Sequence, residues 1–231
     1  MLMNSENIND ELLRAAGNGD NILLGFLLGQ GANCNALDRA GQSALMLAVN
    51  QDHLASAELL LQAGADCEYI DPLGRRVLSQ AAFAGKLGAV ELLLRYKAQI
   101  NGGAAEGKTA LLAACQNGQT AVIAFLLQKK ADLWPGQAEG RGPLVTALRN
   151  NHIAAVRMIL EHDGNINEVD EQNNGVLMLA VLAGSEELVQ YILKNHHPDL
   201  LHCNNHGETA LSIARKNNLK KLVMLLEKAG K

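Results

Sequence analysis

The segment Gly102–Thr109 has the spacing G-x-x-x-x-G-K-T, ending in Gly107, Lys108 and Thr109. This is the spacing of the phosphate-binding loop of nucleotide hydrolases, in which backbone N–H groups and the lysine hold the phosphates. Such a loop follows a buried β-strand and begins a helix. The preceding residues, AVELLLRYKA, have helical periodicity instead. Because the spacing matches, nucleotide binding through this segment nevertheless stays as one alternative hypothesis for the chain.

A second group of residues could bind a metal ion. The segment HHPDLLHCNNH contains His196, His197, His202, Cys203 and His206, and imidazole and thiolate are the usual ligands of zinc. His202 and Cys203 are neighbours, however, and in an extended segment they would point to opposite sides. Zinc binding by the His196–His206 segment is the second alternative hypothesis.

The composition indicates a folded helical protein. Hydrophobic residues make up 48% of the 231 residues, but only three Phe, three Tyr and one Trp occur, so the core must consist of Leu, Ala, Ile and Val. Such a core favours helices over a β-sandwich. The net charge of −4 argues against a nucleic-acid partner.

Targeting signals and cysteine usage give expectations about location. No basic segment leads into an apolar run at the N-terminus, and no later segment has the length of a membrane span. The four cysteines form no C-x-x-C pair, which fits a reducing compartment. We therefore expect a soluble, cytoplasmic chain without a Sec-type signal peptide.

An internal repeat organises the whole chain. A Gly or Asn marker recurs every 33 residues, with one step of 34, at Gly41, Gly74, Gly107, Gly140, Asn173 and Gly207. Leu follows each marker by four residues and Ala by seven, without exception. One further period back, Leu12 and Ala15 occupy the same two columns, a column being the set of residues at one position of successive repeats. Each unit contains two short apolar-periodic runs separated by a turn, which predicts helix, turn, helix.

The repeat resembles that of the ankyrin family, whose 33-residue unit is a β-turn and two helices with a T-P-L-H-x-A signature. The matching stretches are GQSALMLAV, GKTALLAAC, GRGPLVTAL and GETALSIAR. The signature His is replaced in every repeat, and the Pro survives only as Pro143. In the family, that His and the Thr help to tie neighbouring turns together. The resemblance therefore implies an all-α ankyrin-repeat solenoid with short β-turn or hairpin fingers, with weaker local ties between turns.

We expect residues 1–231 to form a single ankyrin-repeat domain. Its approximate units are 1–37, 38–70, 71–103, 104–136, 137–169, 170–203 and 204–231, the first and last acting as caps.

The period offers another reason for most of the residues that suggested chemistry. Gly107 belongs to the marker column, and Thr109 occupies the place of Ser43 and Thr209, where a helix N-cap is expected. The His196–His206 segment falls on the turn between the sixth and seventh units, where we place the one-residue insertion.

The same reasoning applies to the remaining His and Cys residues. Cys34 and Cys67 lie one period apart in an apolar column, so we expect buried thiols without a disulfide. Cys115 lies in a second apolar column, while the resemblance assigns His53 and His152 a structural role. Candidate catalytic residues are dispersed over repeats that contact only their neighbours. We predict no enzymatic activity, no catalytic residue, no resident metal and no cofactor.

The resemblance implies a non-catalytic protein-protein interaction module. Its partner would bind the turn tips and the concave face of the first helices, and these positions are Arg39, Gln42, Asn50, Arg75, Phe83, Lys108, Gln116, Arg141, Arg149 and Leu182. Phe83 is a candidate contact anchor, since aromatic residues dominate interface energetics.

Three of these positions share one column. Arg75, Lys108 and Arg141 form a basic stripe on which an acidic peptide would lie, or a row of solubilising turn tips. We expect a monomer that binds an unidentified protein, not nucleic acid or a membrane. The chain is also similar to bacterial ankyrin proteins, some of which are delivered into host cells.

Overall fold

The computed structural model describes residues 5–103, 109–133 and 142–230. Fourteen helices lie in the described residues, and no described segment is a multi-residue strand. The helices are α1 (Ser5–Asn18), α2 (Asn21–Gly29), α3 (Ala44–Asn50), α4 (Leu54–Gln62), α5 (Val77–Phe83), α6 (Leu87–Arg95), α7 (Ala110–Gln116), α8 (Thr120–Gln128), α9 (Pro143–Arg149), α10 (Ile153–Glu161), α11 (Val176–Leu182), α12 (Glu186–Asn195), α13 (Ala210–Lys216) and α14 (Lys220–Ala229).

The chain divides into two compact units, Met1–Ala114 and Cys115–Lys231, with the boundary inside α7. In the first unit, α3 packs on α1, α4 and α5, while α4 packs on α2 and α6. In the second unit, α11 packs on α9, α12 and α13, α8 packs on α10, and α12 packs on α14. Each unit therefore stacks helix pairs, with first helices against first helices and second helices against second helices.

The two invariant columns form the core of both units. Leu45, Leu78, Leu111, Leu144 and Leu177 are each at most 4% exposed. The alanines at 48, 81, 114, 147, 180 and 214 are all fully buried. Ala is required there because its small side chain lets the helices of adjacent repeats approach closely. Both columns are therefore buried in every described repeat except at Leu211, which is half-buried.

The turn between the two helices of each repeat depends on one left-handed residue. Its φ is positive in all seven pairs, at Gly19, Asp52, Gly85, Gly118, Asn151, Gly184 and Asn218. Gly, Asn and Asp are the residues that adopt this conformation most readily. The column therefore accepts these three types and turns the chain sharply into the second helix.

Three of the described fingers, which precede the first helices of their repeats, hold a single antiparallel bridge. Such bridges join Leu37 to Ser43, Ile70 to Arg76 and Val169 to Gly175. The marker residues lie within these fingers and have positive φ, for example 75° at Gly41 and 60° at Asn173. The expected short hairpin fingers are therefore confirmed for the described repeats.

The inserted residue lies in a helix, not in the turn where the sequence analysis placed it. Helix α12 has ten residues, whereas α4, α6, α8 and α10 have nine. The connection 196–209 after α12 is as long as 162–175 after α10. A helix absorbs an extra residue by extending its last turn, and the left-handed position that follows moves to His197, with φ of 44°.

Candidate interaction surface

The described part of the nucleotide-loop motif has structural duties. The Thr109 side chain is almost fully buried, and its Oγ1 accepts a hydrogen bond of 3.3 Å from the N–H of Leu112. This confirms Thr109 as the N-cap of α7. The motif follows helix α6 instead of a strand. Close to Gly102, the Glu68 carboxylate accepts a hydrogen bond of 2.8 Å from the N–H of Gln99. Lys108 and the rest of 104–108 lie outside the described residues.

The His and Cys side chains of the 196–206 segment are engaged separately. His202 Nε2 lies 2.8 Å from the carbonyl oxygen of Asn173, and the His196 ring lies against Tyr191 with centroids 5.3 Å apart. The Cys203 thiol donates to the carbonyl of Leu201. Within the described parts of the chain, no three His, Cys, Asp or Glu side chains are grouped to hold a metal ion.

Side chains from the following repeat replace the missing signature His in tying turns together. The Tyr69 hydroxyl donates to the carbonyl of Gly41 at 2.9 Å, and His202 makes the equivalent contact with Asn173. Glu168, in the same column, is buried and caps α9 through the N–H of Val145. The expected weakness of the turns is thus offset by a column that the sequence analysis did not single out.

A second column that the sequence analysis missed orders the finger tips. Oδ1 of Asp71 accepts hydrogen bonds from the N–H groups of Leu73 at 3.0 Å and Arg75 at 2.8 Å. The same pair of bonds forms at Asp38, Asp170 and Asn204. The signal for this column was an Asp or Asn three residues before the marker, a typical turn residue.

The two described arginines near the predicted stripe are paired within the protein. Arg75 Nη2 lies 2.6 Å from Asp71 Oδ2, and the Arg75 side chain is 43% exposed. Arg149 Nη2 lies 3.2 Å from Asp170 Oδ2 in the next repeat. Both guanidinium groups therefore complete acidic turn tips. Arg141, like Lys108, lies outside the described residues.

The last position of each first helix forms an exposed column. Its members from the third helix onward are Asn50, Phe83, Gln116, Arg149, Leu182 and Lys216. Phe83 is 45% and Leu182 is 50% exposed. These two apolar side chains thus lie at the surface of the first and the second unit respectively, as predicted.

The backbone of this column is bound by the following repeat, so the side chains have no capping duty. Lys86 Nζ donates to the carbonyl of Asn50 at 2.8 Å, and His152 Nε2 lies 3.3 Å from the carbonyl of Gln116. The contact of His152 confirms its structural role. Of the other predicted positions, Arg39 is exposed and Gln42 is half-buried.

None of the described helices combines the length and apolar character that a membrane span requires.

Comparison with known proteins agrees with this architecture. The chain resembles the ankyrin repeat domain of Bcl-3, "a unique member of the IkappaB protein family", with a TM-score of 0.80, 24% identity, and coverage of 92% of this chain and 97% of that one. It also resembles the human ASB11 ankyrin repeat domain, with a TM-score of 0.78, 23% identity, and coverage of 93% and 96%. At this identity, both likenesses establish the fold alone.

Sequence comparison identifies the family. No curated protein matches the chain significantly in sequence. The model of ankyrin repeats in three copies matches residues 12–104 and 78–170, which together span more than half of the chain. The chain therefore belongs to the ankyrin-repeat family.

Proposed function

We propose that this protein is a non-catalytic binding module whose protein partner contacts the exposed helix-end column and the finger tips. The observation that carries the proposal is the contrast between columns. The Leu and Ala columns hold one residue type throughout, whereas the helix-end column is exposed and holds an amide, an aromatic ring, an amide, a cation, an aliphatic chain and a cation. Exposed positions whose residue type varies from repeat to repeat are the ones on which a repeat scaffold carries recognition chemistry.

The contact chemistry favours apolar anchors over an acidic peptide. Phe83 and Leu182 are each about half exposed. Exposed aromatic and aliphatic side chains are frequent contact residues. Arg75 and Arg149 already bind Asp71 and Asp170, so an acidic partner would have to compete with these pairs. Ankyrin repeats are generally protein-interaction modules, and the family is typically non-catalytic.

Quantitative co-purification tests the proposal. Proteins captured by the wild type should be retained at least about tenfold less by the variant Phe83→Ala, because truncating an anchor removes most of its contact energy. Leu54→Ala is the control, since Leu54 is an apolar side chain 37% exposed on the second helix α4, outside the helix-end column. Equal capture by Phe83→Ala and the wild type would contradict this placement of the surface.

We propose a cytoplasmic location, which the four free cysteines support because disulfides are rare in reducing compartments. The similarity to bacterial proteins that act in host cells defines a second arm of the co-purification. Parallel capture from bacterial and animal-cell lysates, with Phe83→Ala in each, distinguishes a partner of the producing cell from a host target.

A further inference from the structure

Adjacent second helices contact each other in a fixed register. On α10, Arg157 Nη2 lies 2.9 Å from Glu187 Oε1 on α12, and the Arg157 guanidinium lies 4.9 Å from the centre of the Tyr191 ring. Arg157 therefore occupies the column that reaches forward to the next repeat. Glu187 and Tyr191 occupy the two columns that receive it.

The end repeats carry apolar residues in these same columns. Met224 on α14 is in the column of Arg157, whereas Ile22 and Phe26 on α2 are in the columns of Glu187 and Tyr191. All three are strongly exposed, Met224 to 71%, Ile22 to 88% and Phe26 to 59%. Ile22 and Phe26 give the outer face of α2 an apolar surface of the kind that marks contact sites.

The repeat register would bring these residues together if α14 of one copy stacked against α2 of another. Met224 would then contact both Ile22 and Phe26, as Arg157 contacts both Glu187 and Tyr191. An apolar triad would replace the ion pair and cation–π contact found inside the second unit. Methionine sulfur against an aromatic ring is a favourable contact.

Charge at the two ends is complementary. Residues 1–37 contain one basic and four acidic residues, a net charge of −3, whereas residues 204–231 contain six basic and two acidic residues, a net charge of +4. This attraction is one of net charge and not of a single pair, since Lys216 Nζ already lies 2.6 Å from Glu208 Oε1.

The last repeat also has an uncovered apolar groove. Leu211 is half-buried, whereas the other described leucines of its column are almost fully buried. In the other repeats, the next repeat covers the face on which this leucine lies. A groove of about 360 Å³ lies there, lined by Leu200, Leu201, Leu211 and Leu226 among others.

We propose that copies of this chain associate head to tail, the last repeat of one copy stacking on the first repeat of the next through Met224, Ile22 and Phe26. The head is the α2 face with Ile22 and Phe26, and the tail is the α14 face with Met224. This contact is heterologous, so it extends from copy to copy and does not stop at a dimer. It is independent of the surface around Phe83 and Leu182.

Light scattering or sedimentation over micromolar to near-millimolar protein concentration tests the association. The average mass of the wild type should rise continuously and pass the mass of a dimer. Added salt should weaken the association without abolishing it, because salt screens the attraction between the opposite net charges of the two ends. A wild type that stays monomeric over the whole range would overturn the proposal.

Two variants make the direction of stacking testable. The head variant carries Ile22→Gln and Phe26→Gln, and the tail variant carries Met224→Gln. These side chains are exposed, so we expect the folded content, measured by circular dichroism, to be unchanged. Each variant alone should self-associate at least about tenfold more weakly than the wild type, because one half of every contact is lost.

Mixing the variants separates head-to-tail stacking from other modes. The intact tail of the head variant fits the intact head of the tail variant, so an equimolar mixture should form a one-to-one dimer and nothing larger. Self-association of the tail variant alone would indicate contact between two heads, and a mixture that stays monomeric would exclude a head-to-tail contact. Either result would overturn the proposal.

Discussion

The carboxylate of Glu168 accepts a hydrogen bond from the backbone N–H of Val145, on the helix of the preceding repeat. Helix α9 begins after Gly142, which has no side chain to cap it. Ser43 and Thr209 cap their own helices by accepting from the third residue of the helix. Glu168 thus supplies from the next repeat the acceptor that Gly142 lacks, and it does so as a buried, ionisable group.

We expect this group to make the stability depend on pH. Burial raises the pKa of Glu168 from 4.5 to about 7, against the lowering effect of the Val145 hydrogen bond. The folded state therefore binds a proton more tightly than the unfolded state. The contribution of Glu168 to the free energy of unfolding is fully present below pH 4.5 and falls as the pH rises to about 7.

Replacing Glu168 by Gln tests this expectation, because Gln keeps an acceptor for Val145 and cannot ionise. Urea unfolding of Glu168→Gln should show no fall in stability over that interval, and above it the variant should be more stable than the wild type by on the order of 1 to 3 kcal/mol. Glu171→Gln, at an exposed neighbour, should retain the wild-type pH dependence. Identical pH profiles for Glu168→Gln and the wild type would contradict the assignment.

The tip network around Asp71 should stabilise the first unit. Its carboxylate accepts from the N–H groups of Leu73 and Arg75 and from the side chains of Arg75 and Gln80. Asp71→Ala should lower the free energy of unfolding by about 2 to 4 kcal/mol, because four hydrogen bonds to a buried carboxylate are lost together. Asp38→Ala is the matched comparison. Asp38 accepts the same two backbone hydrogen bonds, but Gln42 stands in the place of Arg75, so no ion pair is lost. Its cost in a urea titration should be smaller.

Acidification should reduce the contribution of the same network. Burial tends to raise the pKa of Asp71, but the hydrogen bonds and charge of Arg75 outweigh it and lower the pKa overall. The stabilisation is therefore present above the ordinary pKa of an aspartate and is lost as the pH falls through the lowered value. A difference between Asp71→Ala and the wild type that stays constant down to strongly acidic pH would contradict this account.

The features that recur in every repeat could be predicted from the sequence, whereas contacts made by a side chain of a single repeat could not. The Leu and Ala columns and the marker turns follow from the 33-residue period, because a stacked fold demands the same packing in each unit. Glu168 could not be recognised as a cap, since its column also holds Tyr69 and His202. The capping role of Glu168 is recognised only from its contact with the Val145 backbone in the structure. The pairing of Arg75 with Asp71 was likewise hidden, because a spacing of four residues in a turn does not establish a contact.

The four cysteines should differ widely in reactivity. Cys203 is exposed, Cys34 and Cys67 are half-buried instead of buried as the sequence analysis expected, and Cys115 is fully buried. Burial, together with the charge of Glu168, raises the pKa of Cys115 to about 12. Burial and the charges of Glu68 and Asp66 also raise the pKa of Cys67. Because the thiolate is the nucleophile, we expect Cys203 to react first and Cys115 only on unfolding.

Maleimide labelling followed by mass spectrometry measures this order. Cys203→Ser should remove the fastest reaction and leave the others unchanged. Labelling of Cys115 in the native protein at the rate of Cys203 would show that the α7 core opens freely.

A pair of glycines separates backbone strain from a side-chain contact. Gly118 and Gly184 both have φ of 66°, so Ala at either position should cost about 1 to 2 kcal/mol of strain. A Cβ at Gly118 would also lie 2.5 Å from Nδ1 of His152, whereas a Cβ at Gly184 meets nothing within 4 Å. Urea unfolding should therefore show a larger loss for Gly118→Ala than for Gly184→Ala. In the His152→Ala background the cost of Gly118→Ala should fall to that of Gly184→Ala in the wild type, and an unchanged cost would mean that His152 is not its cause.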